Sequence, residues 1–117
     1  MEKSTLDLIF RVCRKEREYL LTKPPSLTMF NPSPFPKGWC GESARRIQDT
    51  LRRSGIDAEY REGDAFPERT DRMNHAWLEY DGYFIDITAD QFNDQGYSND
   101  PIMVTTDNSF HKIFKLE

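Results

Sequence analysis

The chain has 117 residues, the span of one ordinary domain, and a chain of that length buries roughly two thirds of the surface it exposes when unfolded. The apolar fraction is only 37%, but Phe, Trp and Tyr make up 13%, and large rings bury much area each, which argues against global disorder. A net charge of -4, from 16 basic and 20 acidic residues scattered along the chain, provides no basic face and argues against nucleic acid as a partner.

In chain order, Ser4-Thr5-Leu6-Asp7 reads as a helix cap. Leu6, Ile9, Phe10, Cys13 and Arg17 recur at the spacing of one helix face, which predicts an N-terminal helix within residues 1–22 that runs to about Leu21. The segment lacks both the apolar core of a signal peptide and the ~20 apolar residues of a membrane span. A cytoplasmic protein without a membrane partner is expected, with export as an effector lacking a classical signal peptide as the alternative. Cys13 lies on the apolar stripe and reads as a small buried hydrophobe.

Lys23-Pro24-Pro25 ends the helix, and residues 23–38 form a Pro-rich loop with Phe30, Asn31 and Phe35 that is expected to pack on the body. Cys40 opens a second helix reaching about Ser54, with Gly55 as its stop, and Cys40, Ala44, Ile47 and Leu51 share one face. Arg45, Arg46, Arg52 and Arg53 on the same helix read as a solvated polar face. Strands are predicted over 56–62, 73–80, 83–88 and 101–105, with another at Phe110–Phe114. Asp81-Gly82 supplies a two-residue hairpin turn. Period-two alternation with a hairpin predicts a single α+β domain over 1–117, a helix packed on an antiparallel sheet of about four strands.

The chemistry concentrates on Cys40, His75 and Asp86: a nucleophile, a base and an orienting acid in that order. With Asp81-Gly82 as the turn, Trp77 falls opposite Asp86, and His75 and Asp86 become diagonal neighbours on one sheet face. A carboxylate there fixes the imidazole tautomer and leaves the second ring nitrogen for a thiol. At a helix start, backbone donors and the dipole favour an anionic sulfur and an oxyanion beside it. Glu79 and Asp90 compete for the acid role, and His111 is the rival base. Two cysteines and two histidines without a Cys-x-x-Cys pair give no zinc-site spacing, so no metal or cofactor is expected; a Cys13–Cys40 bridge is the bland alternative to free thiols.

Gly38-Trp39-Cys40-Gly41-Glu42, Arg52-Arg53-Ser54-Gly55-Ile56-Asp57-Ala58, His75-Ala76-Trp77-Leu78-Glu79 and Asp86-Ile87-Thr88 together resemble the core of the transglutaminase-like cysteine enzymes of the papain-like superfamily. The resemblance spans roughly residues 38–105, and His-Ala-Trp-x-Glu followed by Asp-x-Thr is its most specific part. It implies a catalytic triad of Cys40, His75 and Asp86 in a protease, glutamine deamidase or acyltransferase acting on a protein or peptide. Papain places a glutamine ahead of its cysteine for the oxyanion hole. The only amide in the preceding loop here is Asn31, so Asn31, Trp39 and Trp77 are the candidates for oxyanion or substrate contacts. No calcium-binding sequence is apparent. Small members of this kind include maturation proteases for peptide natural products and bacterial effector domains. The contrasting class is an inactive binding or adaptor module on the same scaffold.

Overall fold

The computed structural model describes residues 1–22, 35–67 and 72–116. Two helices, α1 (Lys3–Leu21) and α2 (Cys40–Arg53), accompany five strands: β1 (Glu59–Ala65), β2 (Met73–Tyr80), β3 (Tyr83–Asp86), β4 (Met103–Thr105) and β5 (Lys115–Leu116). The strands form one antiparallel sheet in the order β4-β3-β2-β1-β5.

Helix α1 begins at Lys3 with Glu2 as N-cap, so Ser4 does not cap it. Ile9, Cys13 and Leu20 are its buried residues. Arg17 looks misplaced on that stripe until its partners are seen. Its guanidinium donates to the Ile87 carbonyl at 2.6 Å, to the Pro101 carbonyl at 3.1 Å and to both oxygens of Asp90 at 3.0 and 2.7 Å. The helix is thereby tied to the segment that follows β3. Helix α2 buries Ala44, Ile47 and Leu51 against Leu78, Ile85 and Ile87, and Gly55 ends it with φ +81.

The β2–β3 hairpin has the expected register, with Tyr80 opposite Tyr83, Glu79 opposite Phe84 and Leu78 opposite Ile85. Asp81 and Gly82 both carry positive φ, 49 and 77, which matches the right-handed twist of the flanking strands. Side chains alternate, so Ala76, Leu78 and Ile85 meet the helices. Met73 and Trp77 face the other way, into a cluster with Phe92, Phe110 and Phe114.

Several boundaries differ from the sequence reading, each for a physical reason. Strand β3 stops at Asp86 instead of residue 88 because the Asp86 carboxylate takes the Thr88 N–H at 2.9 Å, a local turn that competes with the ladder. The 89–100 loop contains a 3₁₀ helix, Ala89–Gln95. Strand β4 starts at Met103, after Pro101. His111–Ile113 is a 3₁₀ turn rather than a strand, and the fifth strand follows it at Lys115–Leu116. Strand β1 lies three residues later than read, pairing Gly63 with His75 on one side and with Leu116 on the other.

Gly63 is required at that crossing. A Cβ there would lie 2.6 Å from the Lys115 carbonyl oxygen and 3.2 Å from the Phe114 Cβ. Gly63→Ala is therefore expected to displace β5 and cost about 1–3 kcal/mol. Chemical denaturation with parental stability would contradict the close approach of these strands.

Candidate active site

Cys40 sits at the N-terminal tip of α2 and is half-buried. The first helical hydrogen bond is donated by the Ser43 N–H to the Trp39 carbonyl at 2.9 Å, so the N–H groups of Cys40, Gly41 and Glu42 lie ahead of it at the positive end of the helix. His75 comes from β2 and is fully buried, ringed by Phe92, Phe110 and Phe114 at centroid distances of 5.2, 6.0 and 5.5 Å. Its Nε2 donates to Asp86 Oδ2 at 2.6 Å. That leaves Nδ1 unengaged by the carboxylate, and Cys40, which lines the same small void as Asp86, bears on the charge of the ring. The three residues are thus brought together by one helix tip and one hairpin.

Asp86 is 3% exposed, and a carboxylate so deeply buried is costly unless fully satisfied. Oδ1 accepts from the Thr88 N–H at 2.9 Å and from the Thr88 hydroxyl at 3.4 Å, while Oδ2 accepts from His75. Oδ2 also accepts from His111 Nε2 at 2.6 Å. Burial alone would raise the Asp86 carboxyl, but the charge of His75 and the hydrogen bonds of both histidines hold it well below the usual carboxylate range. Burial likewise works against a charged His75. The Asp86 carboxylate beside it and the Cys40 side chain outweigh that and push it up to about 9.

The rival acids have other partners. Glu79 accepts from Arg61 at 2.7 Å, and Asp90 is held by Arg17. Cys13 is buried, unbridged, and its thiol is pushed up to about 12 by burial first and then by Asp86 and Glu16. Trp39 is buried and packs edge-on to Phe35, and Trp77 is buried against His111 and Phe114, so both rings are core positions here. Asn31 lies outside the described residues.

Gln91, which no sequence pattern marks, lies three residues beyond Thr88 of the Asp-x-Thr motif. The 3₁₀ helix carries it back over the site. Its Oε1 accepts from the Gly38 N–H at 3.4 Å, and its Nε2 lies 3.5 Å from His75 Nδ1. The bonds are long, and they aim an amide donor at the gap between the loop ahead of Cys40 and the imidazole.

His75, Asp86 and His111 also offer three ligand atoms within 4.8 Å of one another. Ligands around a tetrahedral zinc at ~2.0–2.1 Å are roughly 3.3 Å apart. Both N–O separations here are 2.6 Å, which fits hydrogen bonds to a shared oxygen better than a metal shell. Behind the thiol, a void of ≈ 10 Å³ lined by Cys40, Ser43, Ala76, Asp86 and Thr88 has room for one water at most.

The fold and site define a small α+β domain with a half-buried cysteine beside a buried His–Asp pair. No family model, curated protein or solved structure matches the chain. Among the described residues, no helix is long and apolar enough to cross a membrane.

Proposed function

We propose that this protein is a thiol hydrolase of the transglutaminase-like, papain-like type that acts on an amide of a protein or peptide. The observation that supports the reading is the buried pair in which Asp86 holds His75 Nε2, with Cys40 at a helix tip among the groups that bear on the ring. The sequence resemblance adds to it.

With His75 raised to about 9, the proton of the Cys40–His75 pair resides on the imidazole; Sγ bonds to the carbonyl carbon as the C=O π pair moves onto oxygen, and Asp86 stabilises the imidazolium. The Cys40 N–H and the Gln91 amide are the donors best placed for the developing oxyanion. Nδ1 then protonates the leaving amine as the C–N bond breaks. Water, deprotonated by the same nitrogen, releases the acyl group and restores the thiol. An amine in place of water would give a crosslink, and we assign water as the acceptor.

The test begins with the thiols. At pH 6–7 Cys40 should alkylate with iodoacetamide at least about tenfold faster than free cysteine, while Cys13 stays protected until the protein unfolds. Intact-mass analysis with candidate peptides then separates cleavage, a one-dalton-scale deamidation and amine adducts. A Cys40 no more reactive than free cysteine across this range would sink the enzyme reading in favour of an inactive binding module.

A further inference from the structure

His111 reaches the active centre from the far end of the chain, and its Nε2 lies 2.6 Å from the same Asp86 oxygen that His75 uses. We propose that His111 is a positioning residue, a fixed N–H donor that clamps Asp86, so that the working unit is Cys40–His75–Asp86–His111 and is complete only when the C-terminal segment is docked. Its catalytic purpose rests on the thiol-enzyme reading. The contact itself does not.

Three observations limit His111 to donation. Its Nε2 is taken up by Asp86, and its Nδ1 is buried with no partner among the described residues. A hydrogen on Nδ1 would be an unsatisfied buried donor, so the hydrogen belongs on Nε2. The ring is also locked: it lies parallel to Phe84 at 5.1 Å and 2°, and packs against Trp77 at 5.0 Å and Phe110 at 5.1 Å. A ring so held cannot turn toward the thiol as a base.

The clamp complements what Thr88 does. With Thr88 on Oδ1 and both histidines on Oδ2, rotation of the carboxylate breaks hydrogen bonds at each oxygen. A second donor on Oδ2 also makes Asp86 less basic, which keeps the shared proton on His75 Nε2. The backbone couples the parts as well. His111 belongs to the 3₁₀ turn that leads into β5, and β5 pairs with Gly63, itself paired with His75. The titratable groups that bear on His75 and Asp86 are Cys40 from α2, His111 from this turn and, more distantly, Cys13 from α1.

The test follows the ¹⁵N-labelled histidines by NMR in the full chain. In the parent, His111 should be the Nε2–H tautomer. In His111→Phe, which keeps a ring but loses the donor, the His75 titration should move up by about half a pH unit or more, because Asp86 becomes more basic. His111→Gln, with an amide N–H at similar reach, should restore the parental titration. An Nδ1–H tautomer in the parent, an unmoved or lowered His75 titration in folded His111→Phe, or a Gln variant that titrates like the Phe variant would each overturn the proposal. If His111→Phe does not fold, the parental tautomer and the Gln variant decide it. None of these readouts needs a substrate, so an unreactive Cys40 would remove the enzyme reading and leave the His111 result standing.

Discussion

Cys40→Ala is expected to abolish acyl-enzyme formation and turnover while leaving the domain folded. Alanine is the best helix former, and a half-buried first-turn position loses little packing. Cys40→Ser should retain at most a trace, since a hydroxyl is far less acidic than a thiol. The change also has a signature inside the site. Hydrogen bonding to Cys40 and its charge are among the influences that push His75 up to about 9, so the His75 titration in Cys40→Ala should fall below the parental value. Intact-mass trapping with a validated peptide and NMR of His75 check the two parts separately. Parental turnover by the folded alanine variant would remove Cys40 as nucleophile. An unchanged His75 would show instead that the sulfur does not touch the ring.

Local patterns carried the hairpin because its register depends on neighbouring residues: alternation, a two-residue turn and the two-sided burial of β2 all agree. The same locality made Cys40 legible, since Gly38-Trp39-Cys40 precedes a helix with a clean apolar face. What the sequence hid was non-local. His111 lies 25 residues from Asp86, in a stretch whose apolar alternation imitates a strand. In the fold that stretch forms a 3₁₀ turn just before β5 pairs with Gly63, and the imidazole is buried. Gln91 was concealed similarly, because a polar residue in a polar loop carries no periodic signal until the Arg17–Asp90 ion pair fixes that loop against α1. His75 is sealed by the Phe92, Phe110 and Phe114 rings, Asp86 is buried beside it, and of the three residues Cys40 alone stays partly open.

Asp86→Asn is expected to lower turnover by roughly 10⁴-fold, the loss known for the equivalent change in a serine triad, and also to weaken the fold. The four donors around this carboxylate are the reason for the second effect. An asparagine has one acceptor oxygen. If that oxygen faces the histidines, its amide hydrogens confront the Thr88 N–H. If it faces Thr88, the amide donates toward His75 Nε2 and forces the hydrogen onto Nδ1, where it can no longer accept the thiol proton. Either orientation leaves unmatched buried groups, and breaking a buried charged cluster costs about 3–5 kcal/mol. The pH dependence separates this from a general packing defect. Because folded His75 is raised from 6.5 to about 9, its contribution is complete below pH 6.5 and is lost as pH rises through about 9. Asp86 is lowered from 3.8, so its contribution is present above 3.8 and is lost as pH falls through the lower folded value. The parental melting temperature should therefore be highest between about pH 4 and 6.5 and decline toward 9, and Asp86→Asn should flatten both limbs. A parallel downward shift of the whole curve would mean that Asp86 only fills space. Parental turnover in a folded Asp86→Asn would remove it as the orienting acid, and Glu79 and Asp90, each engaged by an arginine, would be poor heirs to that role.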